Sequence, residues 1–411
     1  TPNMDTQLEF GEVLKKARAA GVKILAYDCQ VTEDSIKIDE EVPVVLENPI
    51  LWETVDPIVA WYRENKRDLP WRHDVTPYRV WVSEIMLQQT RVEAVKPYYD
   101  RFLKELPTIT DLANAKEDRL MKLWEGLGYY NRVRNMQKAA ICLEERYGGS
   151  FPADWKELQK LPGIGSYTAG AIASIAFGIP VPAVDGNVLR VLSRIREDDR
   201  DISSQAVKRQ VEEELLAVMP SEMPGEFNQA LMELGAVVCV PNGTPGCDRC
   251  PVREFCTAHR DGRELKFPVK APKKARRIEE RTVLLVQDGE RIALRKRPER
   301  GLLAGMYEFP NLPGGLSREE ILGWVRERGM TPLHIQKLER AKHIFSHVEW
   351  HMTGYAVRVA SFEGAQAGEL ILADVARAEK EYPVPSAYRA YARYMNLKLG
   401  QKEKNQQRKR K

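Results

Sequence analysis

Four cysteines fall within eighteen residues, Cys239, Cys247, Cys250 and Cys256, with spacing C-x7-C-x2-C-x5-C. Thiols this close in sequence demand either a disulfide framework or a shared metal. A secreted disulfide scaffold would be shorter and denser in cysteine. This chain has 411 residues and six cysteines, with Cys29 and Cys142 standing apart. The expectation is a metal site in a reducing cytoplasm. Thiolates hold zinc, usually through two Cys-x-x-Cys pairs, and they also hold iron–sulfur clusters. Only one such pair occurs here, so the residues alone leave both open.

The length predicts two to three domains. Net charge is +4, too slight to argue for a nucleic-acid partner from the total. The longest stretch without a formal charge, Leu161 to Val184, contains Pro162, Pro180, Pro182 and four glycines. Its continuous helical part is therefore Ser166–Phe177, which reads as a hairpin with one buried helix and not as a membrane span. No signal peptide is recognisable, and the start at Thr1 reads as a fragment or a trimmed sequence.

The chain divides into unequal parts. In residues 1–47, Phe10, Val13, Leu14 and Ala17 have helical spacing, Gly21 suits a C-cap, and Val22–Val31 alternates as a strand. This part is too small to bury a core. It resembles the C-terminal end of the sugar fermentation stimulation protein family, a truncated remnant. Residues 48–258 carry start signals at Asp56-Pro57 and Thr76-Pro77, the second opening a helix to about Arg91. Further helices are expected near 98–106, 117–125, 132–147, 154–160, 166–177, 186–196, 204–218 and 225–238, the pattern of an all-α domain. Residues 259–280 read as a basic linker, with nine Lys/Arg against four Asp/Glu between Arg260 and Arg281. Residues 281–399 read as α+β: a hairpin through Asp288-Gly289, a helix Glu319–Arg328, and strands within His343–Ala360. Residues 400–411 read as a basic disordered tail.

Three further strings carry chemistry. In Leu161-Pro-Gly163-Ile-Gly165-Ser-Tyr167, glycines make a tight turn before a helix, and the exposed N–H groups there suit a phosphate. Asp185, in Val184-Asp185-Gly186-Asn187-Val188, is placed to cap the next helix. Glu84 interrupts an apolar helix among Val80, Trp81, Ile85 and Leu87; a carboxyl buried there has a raised pKa and can donate a proton.

The hairpin string resembles the helix-hairpin-helix element of the endonuclease III superfamily of DNA glycosylases. The segment Trp81-Val-Ser83-Glu84-Ile-Met-Leu87-Gln88-Gln89-Thr90 resembles the adenine DNA glycosylase family of MutY type, and the likeness runs from Leu51 onward. It implies a mainly α helix-hairpin-helix glycosylase domain with an Fe–S cluster loop, followed by an α+β Nudix-like domain. It implies Glu84 as general acid on adenine and Asp185 as the carboxylate stabilising an oxocarbenium-like sugar, with Tyr167 and Asn187 in support. Arg67-Asp-Leu69-Pro-Trp71-Arg72, together with Gln229 and Glu233 of Phe227–Glu233, resembles the base pocket. Gln89, Thr90, Tyr129 (in Glu125–Asn131), Gly163 and Gly165 are implied to contact DNA. The four cysteines are implied to hold a [4Fe–4S] cluster, although the family's first spacing is six residues where this chain has seven. Gly301–Pro310 and Phe345-Ser346-His347 resemble the domain that reads 8-oxoguanine. Gly314–Gly329 lacks the glutamate spacing of a Nudix hydrolase.

The implied partner is double-stranded DNA with A opposite 8-oxoguanine or G, bound by a monomer away from membranes. A bifunctional relative would carry Lys at position 167 for a Schiff base, and tyrosine cannot form one. The base must be flipped out to be reached, and two carboxylates in different protonation states then act as in glycoside hydrolysis. Three rivals follow: a glycosylase of other base preference or with lyase activity, a zinc-containing DNA-binding protein without chemistry, and a Nudix hydrolase. His343, His347 and His351 recur every four residues, but on strands that spacing spans about 13 Å and argues against a metal site.

Overall fold

The computed structural model describes residues 49–272, 275–289, 291–363, 365 and 368–399. The N-terminal remnant and the basic tail expected from sequence lie outside them. The described chain forms two compact units, one from residues 49–67 and 178–270, the other from 68–177 and 271–399.

The first unit is helical. Helix α1 (Pro49–Asn65) begins earlier than the Asp56-Pro57 signal suggested and runs through Pro57. Leu51, Val55, Ile58, Val59 and Tyr62 share one buried stripe, and burying Leu51 and Val55 offsets the hydrogen bond lost at the proline. They share one core with Val188, Leu192, Ile195, Leu231 and Leu234.

The second unit joins helices to a sheet. Its helices are α2 (Pro77–Leu87), α3 (Val92–Glu105), α4 (Ile109–Ala113), α5 (Glu117–Trp124), α6 (Asn131–Tyr147), α7 (Trp155–Leu158) and α8 (Ser166–Phe177). Thr76 caps α2 and Pro77 follows it, as the sequence signal requires. Two boundaries differ from expectation. Helix α2 stops at Leu87 and not near Arg91. Helix α3 starts six residues before position 98, because Val95, Tyr99 and Phe102 form one buried face across Pro97. In the first unit, α9 (Gly186–Arg196), α10 (Gln205–Leu216), α11 (Pro224–Val237) and the short α12 (Thr257–Arg260) complete the helical set.

The sheet contains β1 (Arg277–Asp288), β2 (Arg291–Lys296), β3 (Tyr307–Glu308), β4 (Asn311–Pro313), β5 (Pro332–Ile344), β6 (Val348–Val359) and β7 (Leu370–Asp374). Its order is β3-β2-β1-β6-β5, with β4 on β1 and β7 on β2. The expected hairpin forms, with Asp288 opposite Arg291. Strands β1 and β6 are parallel. Alternation along β1 sends Val283 and Leu285 to one core and Leu284 and Val286 to the other. One face is covered by Tyr388 and Tyr391, the second of which lies in α15 (Arg389–Ala392). The other is covered by Ile321 and Val325 of α13 (Arg318–Glu327). Helix α14 (Val375–Glu381) follows β7. Strand β5 begins eleven residues before His343; most of its residues are exposed, so it carries little hydrophobic signal. No helix among the described residues is long and apolar enough to cross a membrane.

Candidate active site

Glu84 sits on α2 with its side chain buried among Trp81, Val82, Ile85 and Met86. The hydroxyl of Tyr167, second residue of α8, donates to its Oε2. The phenol nominated from sequence therefore touches the carboxyl nominated from sequence. The turn before α8 uses its two glycines differently. Gly163 has φ +76°, and a Cβ there would lie 2.6 Å from Cβ of Asn135. Gly165 has neither a left-handed backbone nor a crowding neighbour. The close approach thus rests on Gly163 alone.

The two residues nominated to fill a gap in a duplex share an unusual backbone. Gln89 has φ 56° and Tyr129 φ 48°, the left-handed region that non-glycine residues avoid. Gln89 is exposed and Tyr129 is 50% exposed. One side chain ties their segments together. Nη1 of Arg132, in the first turn of α6, donates to the carbonyls of Ile85 (2.6 Å), Met86 (3.2 Å) and Gln88 (2.7 Å). Its Nη2 donates to Leu127 O and Gly128 O, both at 3.1 Å, and to Thr90 Oγ1 at 3.4 Å. This caps the last carbonyls of α2 and explains its end at Leu87. Burial pulls the Arg132 guanidinium down to about 10.

Asp185 lies in the other unit, as N-cap of α9. Its Oδ1 accepts the N–H groups of Asn187 and Val188, each at 2.8 Å, and its Oδ2 accepts Asn187 Nδ2 at 2.7 Å. Burial raises its pKa, opposed by those three hydrogen bonds and by Arg190. Asn187 Oδ1 accepts Arg190 Nη2 at 2.8 Å, and Arg190 Nε donates to Cys239 O at 2.8 Å. A continuous chain therefore runs from the carboxylate to the first cysteine. It requires Gly235, where a Cβ would lie 2.6 Å from Asn187 Cβ.

The nominated base-pocket residues divide between the units. In the first, Glu233 is buried and accepts Arg67 N (3.0 Å), Nε (2.7 Å) and Nη2 (2.9 Å), while Gln229 accepts the Tyr62 hydroxyl at 3.1 Å. In the second, Leu69 and Trp71 are buried, Trp71 edge-on to Tyr99, and Arg72 closes the same short turn.

The four cysteines line one pocket with Val191, Ile195, Leu234, Val238 and Val252. Ligand atoms of Cys247, His259 and Glu264 lie within 4.8 Å of one another beside this pocket. Burial, then the Glu264 carboxylate and the neighbouring cysteines, push Cys247 up to about 11; burial, with the neighbouring cysteines, pushes Cys250 up to about 12. As thiolates they require a compensating cation. Arg194 Nη1 already approaches Cys239 Sγ at 3.2 Å. The donor set fits a thiolate-bound metal centre, and the extra loop residue after Cys239 does not remove that thiol from the pocket.

In the sheet, Phe345 packs on Trp350 (4.9 Å between centroids) and His343 (4.6 Å), while Ser346 and His347 are exposed. Glu320 is spent in a capping box with Ser317.

Residues 82–216 match the HhH-GPD superfamily base excision DNA repair protein family, and residues 281–394 match the NUDIX domain. The adenine DNA glycosylase of Rattus norvegicus is 38% identical, covering 71% of this chain and 68% of its own length. That of Buchnera aphidicola is 33% identical, covering 74% and 85% respectively. The chain belongs to the adenine DNA glycosylase family. A solved thermostable thymine-DNA glycosylase is 28% identical, with TM-score 0.48, covering 52% of this chain and 98% of its own. As an adenine DNA glycosylase family member the chain is an enzyme of base excision repair, with a helix-hairpin-helix part and a Nudix-like part. Sequence reasoning missed three arginines that organise this glycosylase: Arg132, Arg190 and Arg194. Nothing in their local sequence marked them, because each is defined by partners distant in the chain or by backbone carbonyls.

Proposed function

We propose that the chain is a monofunctional glycosylase that hydrolyses the N-glycosidic bond of adenine opposite 8-oxoguanine or G in double-stranded DNA. The observation that carries this reading is the Tyr167 hydroxyl on buried Glu84. A phenol committed to a carboxyl offers no amine for a Schiff base, so backbone cleavage has no nucleophile at that position. Glu84 takes the role of proton donor to the leaving adenine. As the bond to adenine breaks, positive charge grows on the sugar, and ionised Asp185 opposes it. Its three N–H donors favour the ionised state that this role needs. Water then bonds to the anomeric carbon and releases its proton to solvent.

The other nominated residues take roles consistent with their surroundings. Gln89 and Tyr129, exposed on fixed backbones, fill the space left by the flipped nucleotide, with Thr90 and the Gly163–Gly165 turn against the backbone. Arg67 holds Glu233, and that pair with Gln229 is one set of base-pocket residues; Leu69, Trp71 and Arg72 are the other. Ser346 and His347, carried by the anchored Phe345, read 8-oxoguanine, and the Nudix-like part has no hydrolase role. Cys239, Cys247, Cys250 and Cys256 would hold a [4Fe–4S] cluster, which supplies a redox-capable iron–sulfur centre and a cation for four thiolates. We take the protein to act as a cytoplasmic monomer.

Single-turnover base release tests the reading, with A opposite 8-oxoguanine, G or T, each scored with and without alkali. Adenine loss from the first two, with strand breaks only after alkali, is the expected result. Breaks without alkali would reinstate lyase chemistry. No release by folded, cluster-loaded protein would overturn the adenine assignment. Iron and acid-labile sulfide near about four each per chain are expected; zinc in their place would overturn the cluster.

A further inference from the structure

We propose that Glu125 is a positioning residue through which the sheet-bearing part of its unit fixes the segment that ends in Tyr129. Glu125 follows α5 and is 4% exposed. Its Oε1 accepts the N–H of Val384 at 2.9 Å, and its Oε2 pairs with Lys122 Nζ at 2.9 Å. Lys122 is itself mostly buried and also donates to Tyr382 O at 3.3 Å. The Glu125 carbonyl accepts the Tyr98 hydroxyl at 2.9 Å. Side chain and main chain of one residue are thus both committed, and residues 382–384 are stapled to the entrance of the segment.

Beyond that entrance the backbone leaves the ordinary region three times: Gly126 φ 107°, Gly128 φ 72° and Tyr129 φ 48°. Glycine takes the first two without steric cost, but Tyr129 does not, and its conformation persists only where the surroundings over-determine it. Arg132 holds Leu127 and Gly128 from the far end. Glu125 holds the near end, and it is the end connected to the sheet.

The connection continues inward. Val384 belongs to the same core as Trp350 and Tyr388, whose rings lie 6.1 Å apart, and Phe345 packs on Trp350 at 4.9 Å. A packed path therefore leads from the Phe345-Ser346-His347 loop through Trp350, Tyr388 and Val384 to Glu125. Buried contacts of this kind transmit small shifts because packed cores deform little. The inference rests on the reading of residues 345–347 as the loop that reads the opposite base. On that reading, recognition of 8-oxoguanine biases the backbone under Tyr129 by way of Glu125.

The test uses the full, cluster-loaded chain with two substitutions, Glu125→Ala and Glu125→Asp. The first removes the acceptor for Val384 and the partner of Lys122. The second keeps the charge for Lys122 and shortens the reach to Val384, so it preserves the fold if the first does not. Single-turnover rates are measured for A opposite 8-oxoguanine and A opposite G, and hydrogen exchange is followed in the DNA-free protein. Glu125→Ala is expected to lower the ratio of the two rates by about tenfold, the size of one lost charge-assisted hydrogen bond. Glu125→Asp should lower it less, and amides 126–130 and 382–386 should loosen together. Equal slowing on both substrates in folded variants, with the ratio unchanged, would overturn the proposal and leave Glu125 a purely structural residue. If the unsubstituted protein shows no preference for 8-oxoguanine, the reading of residues 345–347 fails instead. The exchange data then decide alone: joint loosening supports the coupling, and unchanged protection at 126–130 overturns it.

Discussion

The end of α9 around Asp185 and the paired segments at 88–90 and 126–129 are built on opposite plans. At Asp185 the side chain is fixed: three donors hold the carboxylate, Asn187 is held by Arg190, and Arg190 is held by Cys239 O. At Gln89 and Tyr129 the backbone is fixed by Arg132, and the side chains stand exposed. On the proposed roles, Asp185 must meet developing charge at one place and needs its own atoms immobilised, while Gln89 and Tyr129 must enter a partner and need a rigid stem and an unspent surface.

The strongest way to break the comparison is Asp185→Asn. Asparagine caps a helix as well as aspartate does, so α9 should keep its stability and circular dichroism should not change. Base release should fall about a thousandfold or more, the scale of losing a key electrostatic group. An active variant would mean that Asp185 only caps. Arg132→Lys is the matching test of the other plan. An ammonium has three donors and cannot span six acceptors. Stability should drop by roughly 2–4 kcal/mol, and amides at 88–90 and 127–129 should exchange faster together. Loosening of one segment alone would show that they are not held by a common clamp.

Asn187→Ala sharpens the comparison through pH. It removes one hydrogen bond that favours ionised Asp185 while keeping the Cβ that packs on Gly235. The carboxyl, already raised by burial, should rise further. Since the role requires the ionised form, the acid limb of the rate profile should move to higher pH by about one unit. A limb that stays in place would detach it from Asp185.

The sequence made the helical and sheet parts legible because their signals are local. Thr76-Pro77 opens α2, Asp185 caps α9, and Asp288-Gly289 turns the hairpin, each through chemistry within four residues. The site residues were nominated through family strings, and the structure adds a contact those strings did not specify, the Tyr167 hydroxyl on Glu84. What was hidden depends on distant partners. The end of α2 is set by Arg132, forty-five residues beyond Leu87, and α1 starts early because its stripe meets α9 and α11. The parallel pairing of β1 with β6 joins strands about seventy residues apart and leaves no periodic trace in either. Glu125 looked like part of a loop motif, and its link to Val384, 259 residues away, could not be read from either string.

The smallest expected effect isolates the strained stems from the side chains they carry. Gln89 is exposed, has φ 56°, and follows the carbonyl of Gln88 that Arg132 holds. Glycine adopts that backbone without steric cost, so Gln89→Gly relieves strain in the folded state. It also enlarges the freedom of the unfolded chain, which works the other way. The two nearly cancel, and stability should change by no more than about 1 kcal/mol in either direction. Function should separate from stability: with the stem intact and the side chain gone, binding to a mispaired duplex should weaken while base release at saturating protein falls less. A loss of several kcal/mol in stability would mean that the glutamine side chain supports the segment. The distinction between a fixed backbone and an unspent side chain would then fail at the residue that states it most plainly.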